Sequence, residues 1–423
     1  DWGGSGNTVV EAYRLLEDRG VLEARPQSGH YVRAQAHAPV PAVRRPGPRL
    51  DVANLMMRVT MRAGAEGRVG LGCGLPDPAH LPLDELDRVT RHILRDSALA
   101  HAYIHAPGLE RLRRALCQKL VAAGCALAPD DLVVTAGCQE ALDLCFRTLC
   151  QPGDAVAVES PCYFGQLEIL RAQGLVAVEV PCDAVTGLDL DALAVVLPRV
   201  KVVATSPNYN NPLGSLVPDD RKRALVAMCA AAGVPVVEDD ANGDLGFDGQ
   251  RPTSLKAYDD TDNVLSCGTL SKTLSPGLRI GWVAGGRWTG ELARRKMVAS
   301  LACASLPQLA AAEFLDSGSY ERHLRRLRRG YADHVARARS AVARHFPEGT
   351  RVSRPQGGQF VWVELPRGDA LALFERAWDE GISISPGPMF SASGAHGHCL
   401  RLNATGVGMA GLEPAVRRLG QLA

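Results

Sequence analysis

The 423-residue sequence has almost no net charge, no long hydrophobic run and few aromatic side chains. Lysine and arginine total 47 against 46 aspartates and glutamates, so the chain lacks the global basic field of many dedicated nucleic-acid binders. No segment approaches about eighteen consecutive apolar residues, so we predict no membrane-spanning helix. The first residues also lack the basic start and apolar stretch of a secretory signal, and we therefore expect a cytoplasmic protein.

Cysteine is plentiful, but its spacing is not that of a metal or redox centre. None of the twelve cysteines forms a C-x-x-C pair, so we expect reduced, buried thiols and no metal site. The chain begins with Asp1 rather than methionine, and we expect that it starts inside a larger gene product. Its length and its 46% hydrophobic residues predict two or three compact units with a large core.

A proline-rich segment at residues 34–49 predicts a semi-rigid linker between two unequal parts. The part before it, residues 1–33, has a helical pattern of apolar residues over 8–19, with Ser5 or Asn7 as candidate N-cap and Gly20 after the end. Two short β-prone runs at 21–25 and 30–33 then predict a hairpin. A helix followed by a two-stranded wing is typical of the second half of a winged helix-turn-helix.

The segment SGNTVVEAYRLLEDRGVLEARPQSGHYV resembles the GntR-type winged-helix DNA-binding domain. The helices that precede this segment in the family are absent, and Gly6 stands where members commonly carry an arginine that contacts DNA. The presumed recognition helix also has more acidic than basic side chains: Glu11, Glu17 and Asp18 against Arg14 and Arg19. Since this balance disfavours phosphate contacts, we expect DNA binding by the full-length protein but little or none by this chain.

Beyond the linker, apolar runs of strand length alternate with helical stretches such as residues 221–233. This alternation predicts an α/β fold with a mostly parallel sheet covered on both faces. Ligands bind such sheets beyond the carboxyl ends of the strands. The runs lie at 131–134, 154–159, 175–180, 201–205, 234–238, 263–267 and 279–284.

The residues after these runs suit a phosphate-bearing cofactor. Gly137, Cys138 and Gln139 open a helix whose free N–H groups can hold an anion. Further donors follow the later strands: Thr269, Ser271 and Arg279. Lys272 lies among them in a turn rich in glycine, serine and threonine, where its amine could form a Schiff base with an aldehyde. Asp239 ends an apolar strand, where a carboxylate needs a cationic partner such as a protonated pyridine.

These motifs resemble the fold-type I aminotransferases, which use pyridoxal phosphate (PLP). NNPLG, EDD, SK and R occur in order, with Asn211, Asp239, Lys272 and Arg279 separated by 28, 33 and 7 positions. With the N-terminal segment, the whole chain is similar to the MocR subgroup of GntR regulators, in which a winged helix is fused to an aminotransferase-like domain. The resemblance implies a PLP-binding large domain at 50–310 and a small C-terminal α+β domain at 311–423.

The resemblance also implies a role for each matching residue. Lys272 would bind the cofactor covalently and move the proton at the substrate α-carbon. Asp239 would hold the pyridine nitrogen protonated, Asn211 would donate to the phenolic oxygen, and Tyr163 would stack on the ring. Arg401 would clamp the substrate carboxylate. The phosphate would be held by Gly137, Cys138, Gln139, Thr269, Ser271 and Arg279.

Two further matches concern a second subunit and the substrate side of the site. Tyr103 matches a tyrosine that reaches the neighbouring subunit's phosphate, so the resemblance implies a homodimer. Gly74 matches the substrate-side N-terminal strand. The tyrosine that the family usually carries two or three positions after the aspartate is replaced here by Ala241 and Asn242, which puts catalytic efficiency in doubt more than cofactor binding.

The basic run at 321–330 admits a nucleic-acid interpretation, but a helix fits it better. We predict that its arginines form the wet face of a long helix that joins the two domains, with Leu324 and Leu327 inward.

Three functions stay open at this point. The first is an aminotransferase that acts on an amino acid and a 2-oxo acid. The second is a transcription regulator that senses PLP or an amino compound with little turnover, and the third is a PLP lyase or decarboxylase.

Overall fold

The computed structural model divides the chain into two units, Asp1–Arg49 and Leu50–Ala423, which are described separately. The predicted linker at 34–49 lies outside the described residues, as do Ser5, Arg19 and Gly20. The structure describes residues 6–18, 22–25, 28–32, 52–61 and 68–423.

The first unit contains the predicted helix and hairpin. Helix α1 (Gly6–Asp18) is followed by strands β1 (Leu22–Arg25) and β2 (Gly29–Val32), which pair antiparallel. The ring of Tyr13 lies 4.7 Å from that of His30, so the helix packs on the hairpin through an aromatic contact.

The second unit begins with an N-terminal segment whose two short strands pair with strands from two different later parts of the chain. Strand β3 pairs parallel with a strand near the C-terminus, and β4 pairs with a strand that follows the central sheet. The elements of this segment are α2 (Val52–Met61), β3 (Val69–Gly70), α3 (Leu83–Asp96), β4 (Ile104–His105) and α4 (Glu110–Val121).

The centre of this unit is an eight-stranded sheet that contains all seven predicted strands. Its strands are β5 (Leu132–Thr135), β6 (Ala155–Ser160), β7 (Val176–Asp183), β8 (Gly187–Leu188), β9 (Val202–Thr205), β10 (Val236–Asp239), β11 (Val264–Thr269) and β12 (Gly281–Ala284). Their order across the sheet is β5-β12-β11-β10-β9-β6-β7-β8, and the neighbours from β11 to β7 run parallel. Strand β12 is antiparallel to both of its neighbours, β11 and β5.

Helices cover both faces of this sheet, as the unbroken apolar strands predict. In β9, Val202 and Ala204 pack in one core with α5, whereas Val203 packs in another with α8. Alternate side chains of one strand therefore enter different cores. The helices between the strands are α5 (Cys138–Leu149), α6 (Phe164–Ala172), α7 (Leu190–Val196) and α8 (Asp219–Ala231).

The C-terminal elements form a second layered core around a four-stranded sheet of order β14-β15-β18-β17. The predicted domain boundary at 310/311 falls within α10 and stays a prediction. The elements that follow the central sheet are α9 (Thr289–Ser300), β13 (Ala302–Cys303), α10 (Ser305–Asp316), α11 (Ser319–His345), β14 (Arg351–Val352), β15 (Phe360–Glu364), α12 (Ala370–Asp379), β16 (Ile382–Ser383), β17 (Ser385–Pro386), β18 (Cys399–Asn403) and α13 (Met409–Leu422). Of these, α9 and α10 pack in cores of the central sheet and not in the C-terminal core.

The basic run at 321–330 lies in α11, and Leu324 and Leu327 face inward as predicted. One arginine differs from the prediction of a wet basic face. Arg328 is buried, and its guanidinium donates to the carbonyl oxygens of Asp244 (2.6 Å) and Gly249 (2.8 Å). The side chain points inward because it binds carbonyl oxygens of a loop. These acceptors lie outside the helix, so the periodicity of the helix sequence does not indicate them.

The structure also bears on two predictions made from composition. In the part of the chain that the structure describes, each helix is too short or too polar to cross a membrane. All twelve cysteines are free, eight of them buried and four half-buried.

Candidate active site

A cavity of about 550 Å³ opens where β10 and β11 end, with the N-terminal segment and the C-terminal core forming its other walls. Eleven of the predicted site residues line it: Gly74, Cys138, Gln139, Tyr163, Asn211, Asp239, Thr269, Ser271, Lys272, Arg279 and Arg401. The structure thus brings together side chains that are up to 327 positions apart in the sequence.

One end of the cavity is shaped for an anion. Gly137 precedes α5 with a φ of +85° and gives the helix no side-chain cap. The first N–H groups of α5 have no intrahelical partner, as at every helix start. A Cβ atom at Gly137 would lie 2.4 Å from Nη2 of Arg279, so only glycine allows the guanidinium this close. That Nη2 donates to the carbonyl oxygen of Ala136 at 2.7 Å, which holds Arg279 beside the helix end.

Two hydroxyl groups stand at the same end of the cavity. The Thr269 hydroxyl donates to the carbonyl oxygen of Ile280 (2.8 Å) and lies 2.9 Å from the Ser271 hydroxyl. Nη1 of Arg279 lies 3.4 Å from the same Ser271 oxygen. The chain therefore offers an anion the Ser271 hydroxyl, a guanidinium and a helix N-terminus, with the Thr269 hydroxyl beside them.

The amine of Lys272 lies in the middle of the cavity. Its Nζ donates to the carbonyl oxygen of Gly74 at 2.6 Å, and Nε2 of Gln359 donates to the same oxygen at 3.1 Å. Burial lowers the pKa of Lys272 below its ordinary 10.5, and the nearby Arg401 and Arg279 act in the same direction. At a given pH, a lysine with a lowered pKa has a larger fraction of its amine in the neutral, nucleophilic form.

The carboxylate of Asp239 forms the floor of the cavity at the end of β10. It accepts hydrogen bonds from the Cys138 thiol (3.4 Å) and the Ala241 N–H (3.1 Å). Burial raises the pKa of Asp239 above its usual value. Among the described residues, no lysine or arginine lies within ion-pair distance of this carboxylate, so it is a partly satisfied acceptor that faces the cavity.

Arg401, on β18, forms the opposite wall. Its guanidinium is buried over the ring of Phe360 (4.3 Å to the ring centre), and Nη1 donates to Oδ1 of Asn211 at 2.8 Å. Nη2 donates to the Gly72 carbonyl and to the Ser385 hydroxyl, while Nε has no hydrogen-bond partner. Burial lowers the pKa of Arg401 to about 10, so the group stays cationic at neutral pH.

Tyr163 supplies a flat apolar surface at the start of α6. Its ring packs at 5.1 Å from that of Phe164, and burial raises the pKa of its phenol well above 10. The ring is therefore neutral at physiological pH.

Not every predicted residue reaches this cavity. Tyr103 lies on the surface with 75% of its area exposed, stacked on His105. Ala241 and Asn242 do line the cavity, in place of the usual tyrosine. The Asn242 amide donates to the carbonyl of Tyr209 at 3.0 Å, and its Oδ1 is buried without a hydrogen-bond partner.

An apolar part of the cavity wall was not predicted from the sequence. These lining residues are Met56, Met57, Leu75, Leu142, Phe164 and Phe360. Leu75 follows the predicted Gly74, and Phe164 follows the predicted Tyr163. Their position next to predicted site residues could have indicated that they line the cavity. The methionines on α2 carry no such signal, because they reach the cavity only through tertiary packing.

The residues present fit pyridoxal phosphate. The anion-binding end suits a phosphate, the Lys272 amine an aldehyde, and the unpaired Asp239 carboxylate a protonated ring nitrogen. The cavity therefore offers positive groups to the phosphate and a negative group to the protonated ring nitrogen.

Comparisons with known proteins add the following. The family model "Aminotransferase class I and II" matches residues 69–419. An uncharacterized HTH-type transcriptional regulator of Escherichia coli, YdcR, is 37% identical over 98% of this chain and 90% of its own length. A 2-aminoadipate transaminase of Thermus thermophilus is 35% identical over 86% of this chain and 92% of its own length.

The fold is also similar to a solved structure. LysN, an α-aminoadipate aminotransferase of Thermus thermophilus in complex with N-(5'-phosphopyridoxyl)-L-leucine, superposes with a TM-score of 0.80. The sequence identity is 33%, and the similarity covers 86% of this chain and 96% of LysN.

Proposed function

Given that this chain belongs to the aminotransferase class I and II family, we propose that it transfers an amino group from an amino acid to a 2-oxo acid in the cavity around Lys272. The predicted fold class, PLP cofactor and enzyme class are confirmed by the family match and the structural similarity. The observation that carries the reaction is the convergence of an amine, a carboxylate and a guanidinium, Lys272, Asp239 and Arg401, on one cavity.

Lys272 is the proposed catalytic residue. Pyridoxal phosphate, when bound, supplies an aldehyde that reacts with amines and a ring that withdraws electrons. Lys272 would take a proton from the substrate α-carbon and return one, and its lowered pKa favours the neutral amine that such a base needs. Its hydrogen bond to the Gly74 carbonyl fixes the direction in which the amine points.

Asp239 would hold a proton on the ring nitrogen. The Cys138 thiol and the Ala241 N–H donate to Oδ1 of Asp239 and so fix the carboxylate. Because a carboxylate with no cation beside it is costly when buried, a protonated nitrogen is the complement that this position favours.

Arg401 and Asn211 would orient the substrate. Nη1 of Arg401 donates to the lining residue Asn211, and a substrate carboxylate would be held by the donors of this guanidinium. The substrate carboxylate would compete with Oδ1 of Asn211 for Nη1 and so free the Asn211 amide for other contacts. The donors of Arg279, Ser271 and the α5 N-terminus would fix the phosphate at the opposite end.

We further propose that the protein is a homodimer. Leu99, Tyr103, Val298 and Leu301 are apolar or aromatic and between 41% and 79% exposed. They flank β4 and β13, which pair with each other, so they form neighbouring parts of one surface. An apolar face of this kind marks an interaction surface, and the sequence match of Tyr103 favours a second copy of the chain as the partner.

A regulator that senses its ligand with little turnover is the second candidate. Two observations favour it: the helix and hairpin at residues 6–32, and Asn242 in place of the usual tyrosine. In α1, Glu17 lies 3.3 Å from His30, and Glu11, Glu17 and Asp18 outnumber Arg14. We expect a mobility-shift experiment at low salt to show no tight, sequence-selective DNA binding by this chain, because phosphate contacts need basic side chains.

Spectroscopy separates the two candidates. The purified chain with PLP should show a visible absorbance band that Lys272→Ala removes. L-amino acids should then discharge this band to that of the aminated cofactor, and a 2-oxo acid should restore it. If the band forms but no amino acid discharges it, the aminotransferase proposal is wrong and sensing is favoured. If carbon dioxide or ammonia is released instead, the reaction is that of a decarboxylase or lyase.

A further inference from the structure

The wall of the cavity between α2 and β15 has almost no charge. Its side chains are Met56, Met57, Thr60, Cys73, Leu75, Phe164 and Phe360. Of the described residues that line the cavity, the cations are Lys272, Arg279 and Arg401. Each of these three already has a place in the proposed function, so among the described residues of this chain no lining cation is left for a charged group at the far end of the substrate.

The nearest cation on α2 is turned away from this wall. Nη1 and Nη2 of Arg58 donate to the carboxylate of Glu375, each at 2.6 Å, and the guanidinium lies 4.9 Å from the ring centre of Phe374. A bidentate ion pair of this kind fixes the side chain outside the cavity. Arg58 therefore does not compensate a carboxylate that enters beside Met56 and Met57.

The same wall leaves apolar surface uncovered. Met57 is 52% exposed and Leu75 is 44% exposed, although both line the cavity. Phe360 lies under the guanidinium of Arg401, so a substrate carboxylate on Arg401 places the rest of the molecule close to this wall. A side chain that covers these groups gains by their removal from water, whereas a charged side chain loses its hydration without a partner.

We infer that the amino donor has an uncharged, apolar side chain, of the leucine, methionine or phenylalanine class. The specificity-determining residues are Met56, Leu75 and Phe360. This inference rests on the proposed aminotransferase function and adds the substrate class to it.

The first test is a single-turnover comparison on the full chain loaded with PLP. L-leucine, L-methionine and L-phenylalanine should discharge the cofactor absorbance with a kcat/KM at least about tenfold above that of L-glutamate, L-2-aminoadipate and L-lysine. Equal or faster reaction of a charged donor overturns the inference and leaves the proposed function intact. Failure of every donor overturns the proposed function, and the inference with it.

A binding measurement gives a readout that does not depend on turnover. Isocaproate and glutarate both present a carboxylate to Arg401, but only glutarate adds a second charge. Calorimetry on the loaded protein should give a Kd for isocaproate at least about tenfold below that for glutarate. A tighter complex with glutarate overturns the inference.

A variant with an added cation completes the test. Leu75→Arg should raise the kcat/KM ratio of L-glutamate to L-leucine at least about tenfold, because the new guanidinium can pair with the side-chain carboxylate. Val195→Arg makes the same change at a position on α7 that is 71% exposed and does not line the cavity, and it should leave the ratio unchanged. A ratio that Leu75→Arg does not move overturns the inference.

Discussion

Nζ of Lys272 donates a hydrogen bond to the carbonyl oxygen of Gly74 across 2.6 Å, and this contact ties the turn after β11 to the N-terminal segment. The two residues are 198 positions apart. The same contact holds the amine in the cavity, where burial lowers its pKa.

We expect the rate at which PLP attaches to the protein to reach its plateau below pH 10.5. Only the neutral amine of Lys272 attacks the aldehyde, and the rate therefore rises with pH until the lowered pKa is passed. Stopped-flow absorbance over a pH series measures this, with Lys272→Ala as the control that shows no attachment. A plateau above pH 10.5 would contradict the lowered pKa.

The same burial links Lys272 to stability. Between its folded and unfolded pKa values the unfolded chain binds more protons, so the stability of the cofactor-free protein rises with pH in that interval. Lys272→Met removes this dependence, and we expect it to stabilise the cofactor-free protein at neutral pH by about 1 kcal/mol. Urea unfolding at pH 7 and pH 9 checks both statements.

Replacement of Asp239 by asparagine should separate catalysis from stability. The pKa of this carboxyl is raised by burial, so the folded state binds more protons than the unfolded chain and stability falls as pH rises through that interval. We expect Asp239→Asn to stabilise the cofactor-free protein slightly at pH 7 and to slow amino transfer by at least about 100-fold.

The matched control for Asp239→Asn is Cys138→Ser. Serine keeps a donor to Oδ1 of Asp239 and should change the rate by less than about threefold, since a hydroxyl donates at least as well as a thiol. Single-turnover absorbance measures both variants. A rate for Asp239→Asn close to that of the unaltered protein would show that the ring nitrogen has no need of this carboxylate.

Asp244→Asn should be strongly destabilising. The Asp244 carboxylate lies 2.5 Å from Nζ of Lys119 and 2.9 Å from Nε of Arg251, and it accepts from the Tyr320 hydroxyl at 3.1 Å. Loss of one partner from such a buried ion cluster costs about 3–5 kcal/mol. Asp87→Asn, in the exposed pair with Arg91, is the control and should cost less than about 1 kcal/mol.

A fall in pH should weaken the ion cluster around Asp244 and so lower the stability of the protein. The charges of Lys119 and Arg251 outweigh burial and hold the pKa of Asp244 well below its usual range. Its contribution to stability is therefore complete above the unfolded pKa of about 4 and is lost as the pH falls through the lower folded value. In Asp244→Asn, the melting temperature should depend less on pH in this acid range.

If the protein is a homodimer, a substitution on the exposed apolar face should weaken the dimer and also lower PLP affinity in the cavity. Val298→Glu places a charge in the exposed apolar face and should raise the dimer dissociation constant at least about tenfold. PLP affinity should fall with it if Tyr103 completes the neighbouring site. Val185→Glu, at another exposed position, is the control in sedimentation velocity. A protein that is monomeric before any substitution contradicts the proposal.

Much of the site could be predicted because its chemistry sits at strand ends. Asp239 ends the buried strand β10 and Lys272 follows the buried strand β11, so the parallel topology alone brings them to one edge. Local patterns of this kind survive in a single sequence, since each depends on a few neighbouring residues.

What could not be predicted depends on packing between distant segments. Met56 on α2 and Phe360 on β15 meet in the cavity wall only after the N-terminal segment has folded against the C-terminal core. Arg328 shows the same limit, because its partners are the carbonyls of Asp244 and Gly249, some 80 positions away. Neither partner leaves a pattern on the helix itself.

Helix α11 passes without a break from the core that contains β5 and β12 into the C-terminal core. Its first half places Leu324 and Leu327 under the central sheet, and its second half places Val335 and Val342 in the C-terminal core. At 1.5 Å per residue this helix is roughly 40 Å long. Neither of these two cores can unfold without exposing half of a helix whose other half stays packed in the other core. The two cores therefore lose their protection against hydrogen exchange together, as one cooperative foldon.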